Sequence, residues 1–319
     1  CELVPCVSDD GLAAEDRIVW VQWAVFDFLY IPAEMITNTV RFALKLVPFC
    51  NYAEQRFRQL GLTNVTPAIP LGIEPSIWKP IERSELSEVM RSLGFGQDTY
   101  NLLMVTANQH RKALREQLEG IALFIKAHPD VKTRLYLHSY IHGERDLEQD
   151  LQDTGLKPYT VNPDQYVLTQ GGFSEQQMVK VFASADVVLN CCLEGFGLAH
   201  VQSQAVGVPC ITLAEGPGPE LVTFGAEVDS YVDFRDRLTK PVPNPLSIAG
   251  ALEQFYRQKG VRNLKASEIT RENYNWDRIA NKWFDLIDEV MEMREKYSLY
   301  TPSPARHLVN KARNLVEIA

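Results

Sequence analysis

Glu194, Gly195, Phe196, Gly197 and Leu198 follow the apolar run Asp186-Val187-Val188-Leu189-Asn190, and Gln202 and Gly207-Val208-Pro209 come after them. A strand with a polar end, a glycine turn and a helix start over Leu198 to Val206 together describe an anion site. The first N–H groups of a helix lack partners within it, and its dipole attracts negative charge there. Glycine lets a ligand approach the backbone closely. A second group, Thr106-Ala107-Asn108-Gln109-His110-Arg111-Lys112, leaves another apolar run. Two cations at a helix start run against the dipole. A solvated helix start would account for them, and so would a diphosphate clamp, in which Arg forks onto phosphate oxygens and Lys adds a compact charge. The two groups read together favour the clamp.

Positioning these residues requires a regular scaffold. The pattern predicts strands at Asn101–Val105, Thr133–His138, Tyr166–Thr169, 186–190 and Pro209–Leu213. Helices are expected between them at Arg111–Ala127, Gly143–Thr154, Ser174–Ser184 (with Ser174 as N-cap) and 198–206. Such alternation means a parallel sheet covered on both faces, with ligands at the carboxyl ends of its strands. Upstream, Ala43–Phe49 reads as a strand, Tyr52–Leu60 as a helix and Val65–Ile69 as a strand, followed by a proline-punctuated stretch from Pro70 to Pro80. Prolines at that density suit an interdomain connection. Downstream of the loop 215–219, helices are expected near 246–258, 276–297 and 303–316. The last has Leu308, Val309, Ala312, Leu315 and Val316 at helical spacing among Arg306, Lys311 and Arg313. Its basic amphipathic pattern fits a helix docked on the protein better than one lying on a membrane surface.

The 319 residues can hold two domains, and a hydrophobic content of 45% supports their cores. A net charge of −9 argues against nucleic acid as the main partner. Six cysteines without paired spacing fit a reducing, cytoplasmic setting rather than a disulfide framework. No Cys/His grouping has zinc spacing, and no Asp-x-Asp pair occurs, so no bound metal is expected. The longest apolar stretch, Ile18 to Ile36, is interrupted by Gln22, Asp27, Pro32 and Glu34, which argues against a membrane span. The chain begins at Cys1 rather than at a methionine.

The stretch from Glu194 to Gln202 resembles the Glu-x7-Glu signature of retaining glycosyltransferases of family 4 (glycosyl transferases group 1), with Gln202 in the place of the second glutamate. Asn108, Arg111 and Lys112, the proline-rich linker and the aromatic Asn273-Tyr274-Asn275-Trp276 are also similar to that family. The resemblance implies an α/β GT-B fold: two Rossmann-like domains with parallel sheets facing across a cleft, and C-terminal helices that cross back to the first domain. The corresponding divisions are 1–80, 81–272 and 273–319. It further implies transfer of a sugar from a UDP- or GDP-sugar, with retention and without a metal or other cofactor. Glu194 would bind hydroxyls of the donor sugar, and the backbone of Gly195, Phe196, Gly197 and Leu198 would face sugar and diphosphate. Arg111 and Lys112 would bind the leaving group, Gln202 the ribose, and the segment containing Val167 and Thr169 the base. An amide offers one acceptor and one donor where a carboxylate offers two acceptors, so Gln202 predicts altered nucleotide binding.

The first domain matches less well. The family's glycine-rich loop and its histidine are missing before His110, and only about 80 residues precede the second domain, short for a full α/β domain. Asp27 matches an acidic position there. The first domain is therefore abbreviated or incomplete in this sequence, and the acceptor, whether glycan, lipid or another hydroxyl compound, is unspecified. A donor-binding subunit without turnover and a nucleotide-sugar epimerase are the alternative readings, with DNA glucosylation disfavoured by the acidic balance. A homo-oligomer is compatible with all of them.

Overall fold

The computed structural model describes residues 21–26, 43–233 and 240–296. Asp27, the expected helix at 303–316, Cys1 and Cys6 lie outside them. The described residues fall into two compact units, one of 21–25, 43–72 and 276–296 and one of 26, 73–233 and 240–275.

In the first unit β1 (Val21–Ala24) pairs in parallel with β2 (Lys45–Pro48), and α1 (Asn51–Gln59) follows. The segment 65–69, expected as a strand, runs beside β2 but makes a single bridge, Val65 to Leu46. Pro67 has no N–H to donate, and the Ala68 N–H is diverted to the Glu54 carboxylate at 3.0 Å, so the ladder stops. The long helix Trp276–Lys296 contributes Ile279, Leu286 and Val290, spaced along one helical face, to a core with Val47 and Ile69. This helix thus packs on the first unit's strands. Trp23 meets Trp283 edge-on at 5.1 Å and donates its indole N–H to the Ile69 carbonyl at 2.9 Å.

The second unit begins with α2 (Ser87–Ser92) and β3 (Tyr100–Val105). Then come α3 (Leu114–Ala127), β4 (Thr133–His138), α4 (Leu147–Asp153), β5 (Thr160–Val161), α5 (Gln165–Thr169), α6 (Glu175–Ser184) and β6 (Val187–Asn190). It continues through α7 (Leu198–Ala205), β7 (Cys210–Leu213), α8 (Gly218–Leu221) and β8 (Gly225–Val228). An antiparallel pair, β9 (Ser230–Asp233) and β10 (Lys240–Pro243), and helices α9 (Pro245–Tyr256) and α10 (Leu264–Asn273) complete it. Six strands form a parallel sheet in the order β5-β4-β3-β6-β7-β8. The chain starts in the middle at β3, winds outward to β5, then returns to β6 on the other side. The crevice at the carboxyl ends of β3 and β6 is the switch point where such sheets bind ligands.

Leu102, Leu103 and Met104 of β3 and Val187 and Val188 of β6 are fully buried, as strands covered on both faces must be. One cover is α3 with α9, whose approach depends on Gly120: an added Cβ would lie 2.6 Å from the Cβ of Ile248. At the amino end of the sheet, Arg83 Nη1 contacts Asp186 Oδ1 at 2.7 Å, and Asp186 Oδ2 accepts the Asn101 N–H at 2.9 Å. One buried carboxylate thereby joins the segment after the proline linker to the starts of β3 and β6.

Several local expectations are corrected. Residues 166–169 are helical, not a strand, because Asp164 caps α5 by accepting the Tyr166 N–H at 2.8 Å. The edge strand at that end of the sheet is β5, two residues long. The helix expected from Arg111 starts at Leu114, after Ala113 in the left-handed region at φ 46°. The helix expected from Gly143 starts at Leu147 under the Asp146 cap, while Arg145 N–H is held by Asn108 Oδ1 at 3.2 Å. Ser174 caps α6 in a reciprocal box with Gln177, as the sequence predicts.

Candidate functional site

Lys112 and Glu194 meet at the switch point. β3 delivers the turn His110–Lys112 and β6 delivers Glu194, and the Lys112 ammonium lies 2.5 Å from Glu194 Oε2. Arg111 Nη1 is 3.9 Å from the same oxygen, and Arg111 Nε donates to Gln109 Oε1 at 3.1 Å. The cations therefore sit on a short 3₁₀ turn rather than on α3. The left-handed Ala113 separates turn from helix, which removes the conflict with the α3 dipole inferred from sequence. Lys112 is 4% exposed, whereas a third of the Arg111 side chain is accessible.

Burial raises the Glu194 carboxyl pKa, but the charge and hydrogen bond of Lys112, helped by Arg111, more than offset this and hold it below its ordinary value. Two cations facing one carboxylate leave an excess positive charge in the crevice. The start of α7 adds to it: its N-cap is Gly197 at φ 102°, with no side-chain cap and no acidic residue in the first turn. Phe196 is buried with its ring 5.9 Å from Tyr274, which anchors the turn, while Leu198 is 38% exposed. Gln202 is half-buried one turn after Leu198, on the same face of α7. Gly195, between Glu194 and Phe196, completes the turn.

Asn190, the polar strand end read from the sequence, also shapes this crevice, as do Gln117, Cys192, His200 and Thr212, which the sequence did not single out. Gln117 on α3 accepts the Cys191 N–H at 3.0 Å and donates to the Lys112 carbonyl at 2.8 Å, bracing one side of the crevice against the other. The Cys192 thiol lies 3.5 Å from Glu194 Oε1 and 3.3 Å from Asn190 Oδ1. His200, wholly buried in α7, contacts Asn190 and Thr212. For Thr212 a polar residue inside an otherwise apolar strand was the available signal, whereas Gln117 and His200 lie on helices and carried none. Val167 and Thr169 are not brought to the Lys112–Glu194 pair by any contact observed; they lie on α5, where Val167 is 37% exposed and Thr169 donates to the Tyr166 carbonyl at 2.7 Å. Among the described residues, no three His, Cys, Asp or Glu side chains cluster as a metal site, and no helix is long and apolar enough to cross a membrane.

The architecture is that of the GT-B fold. The chain superposes on sucrose-phosphate synthase from Thermosynechococcus elongatus with a TM-score of 0.66 at 15% identity, over 87% of this chain and 69% of that one. On Anabaena HepE, solved with UDP and glucose, the TM-score is 0.63 at 17% identity, over 80% of this chain and 66% of the other. Residues 111–258 match the family model of glycosyl transferases group 1.

Among curated proteins, a GDP-mannose-dependent monoacylated alpha-(1-6)-phosphatidylinositol monomannoside mannosyltransferase from Corynebacterium glutamicum is 23% identical over 181 residues, 54% of this chain and 45% of its own length. A D-inositol 3-phosphate glycosyltransferase from Paenarthrobacter aurescens is 23% identical over 217 residues, 66% of this chain and 48% of its own. The chain spans just under half the length of these two relatives.

Proposed function

We propose that this chain transfers a sugar from a nucleotide-diphosphate sugar to an acceptor hydroxyl, with retention of configuration and without a metal. The observation that carries the reading is the convergence of Lys112, Arg111, Glu194 and the uncapped start of α7 at one crevice. The diphosphate would lie against the α7 start and Arg111, whose 3.9 Å contact with Glu194 is loose enough to exchange for a phosphate oxygen. Lys112 would hold Glu194 in place while the carboxylate accepts hydrogen bonds from the donor sugar. Gln202 would contact the ribose, and the α5 region with Val167 and Thr169 the base. As the anomeric C–O bond breaks, the cations and α7 stabilise charge on the departing diphosphate. The acceptor oxygen bonds to the anomeric carbon on the same face, and its proton passes to that diphosphate. HepE, solved with UDP and glucose, and the GDP-mannose-dependent relative support a UDP- or GDP-sugar as donor. A cytoplasmic setting fits the buried thiols of Cys191, Cys192 and Cys210.

Calorimetric titration with UDP-, GDP- and ADP-sugars, with and without EDTA, tests this. The expected result is saturable binding to one of them, unchanged by EDTA; no binding to any would overturn the reading. The amide at Gln202 favours a second reading, a donor-binding subunit without turnover. It would bind donor yet release neither free sugar nor glycosylated product. Arg111→Ala should weaken donor and free nucleoside diphosphate alike by about ten- to a hundredfold, the worth of a charge-assisted hydrogen bond of roughly 1.5–3 kcal/mol. Equal affinity in the variant would dismiss the clamp.

A further inference from the structure

The α7 sequence places a histidine inside the turn that the donor would use. His200 is 0% exposed. Its Nε2 lies 3.2 Å from the Asn190 carbonyl oxygen and 2.8 Å from Thr212 Oγ1, and its Nδ1 is 3.5 Å from Asn190 Nδ2. The Asn190 carbonyl can only accept, so Nε2 carries a proton toward it, with the Thr212 hydroxyl beside the same nitrogen and the Asn190 amide beside Nδ1. Burial lowers the imidazole pKa despite the nearby Glu194 carboxylate, which favours the neutral ring.

The ring also sets the path of the backbone above it. A Cβ on Gly197 would lie 2.2 Å from His200 Nδ1, and the His200 N–H donates to the Gly197 carbonyl at 3.0 Å. Gly197 at φ 102° therefore rests directly on the imidazole, and α7 starts from that contact. Thr212 carries the connection to the turn after β7, since a Cβ on Gly218 would lie 2.0 Å from Thr212 Oγ1. An apolar side chain at 200 would leave the Asn190 carbonyl and the Thr212 hydroxyl buried without this partner, and the turn without its floor.

We propose that His200 is a positioning residue: braced by Asn190 and Thr212, it fixes the turn Gly195–Leu198 so that the first N–H groups of α7 are held in place for the donor's diphosphate. The role of the turn in donor binding rests on the function proposed above, whereas the bracing does not.

The test compares His200→Leu and His200→Gln, the latter with an amide long enough to reach the Asn190 carbonyl. Hydrogen exchange at the amides of Phe196, Gly197 and Leu198 is followed without ligand, and calorimetry measures UDP and GDP binding. His200→Leu should speed exchange at those amides at least tenfold while β3 and β6 stay protected, and should weaken the nucleotide that the wild type binds at least tenfold. His200→Gln should stay within threefold of wild type in both. Unchanged exchange in a folded His200→Leu protein, or equal losses in both variants, would overturn the proposal. If His200→Leu does not fold, His200→Asn, whose amide is too short for the carbonyl, takes its place with the same criteria. If the wild type binds neither nucleotide, the functional reading fails while the exchange measurement still decides the bracing role.

Discussion

Replacing Glu194 with glutamine should lower turnover in sugar transfer about a thousandfold, roughly 4 kcal/mol of transition-state stabilisation. Two losses add. In the proposed role the amide would no longer offer a charged acceptor to the sugar hydroxyls, and it would hold Lys112, whose ammonium is 2.5 Å from the carboxylate, only through a neutral oxygen. Glutamine is a cleaner probe than alanine. Glu194→Ala would leave the 4% exposed Lys112 with neither counter-charge nor this hydrogen-bond acceptor, at a cost of about 3–5 kcal/mol to the fold, so lost activity would mix with lost protein, whereas glutamine keeps the acceptor. Initial rates with the donor identified by titration, together with thermal unfolding of both variants, separate the effects. Unchanged turnover in Glu194→Gln would remove the role assigned to this residue.

The same pair has a pH signature. The Glu194 carboxyl is held below its ordinary 4.5 in the fold, so its contribution to stability is present above 4.5 and is lost as pH falls through the lower folded value. Glu194→Gln should therefore flatten the acid side of the stability profile, measured by urea unfolding from neutral pH downward.

The second large effect lies at the other end of the sheet. Asp186→Ala should destabilise the protein by about 3 kcal/mol, at the lower edge of the range for breaking a buried pair because Arg83 is partly solvated. The carboxylate, with no exposed side-chain area, serves Arg83 and the Asn101 N–H at once, so its removal leaves both without it. Asp186→Asn keeps an acceptor for the amide and should cost about half as much. Nucleotide affinity should be unchanged in both variants wherever they remain folded, since the proposed ligand crevice is at the carboxyl ends of the strands. Urea unfolding checks the first statement and calorimetry the second. A loss below about 1 kcal/mol for Asp186→Ala would mean the brace is not important.

The features legible in the sequence were those with strong local signals. The apolar runs of β3, β4, β6 and β7, the glycine turn before α7 and the Ser174 cap each follow from residue type at fixed spacing. What escaped depended on particular geometry or on distant partners. Ala113 adopts a left-handed conformation that its residue type does not announce, so a turn and a helix merged into one expected helix. Tyr166–Thr169 has strand-like composition, yet the Asp164 cap makes it helical. The edge strand β5, at two residues, is too short for any periodicity. Arg111 and Lys112 were recognised as a pair, but not the burial of one and the partial exposure of the other. His200 and Gln117 acquire meaning only once β6, β7 and α3 are in contact.

The sheet also carries a chemical reporter of its own opening. Cys191 and Cys192 are buried beside the crevice and Cys210 at the start of β7, and burial pushes all three thiols up from their ordinary value. A thiolate reagent can reach them only when β6 and β7 part from their covering helices. Peptide-resolved alkylation rates at these three positions would time that breathing without any introduced label, and a bound nucleotide that steadies the crevice would slow them.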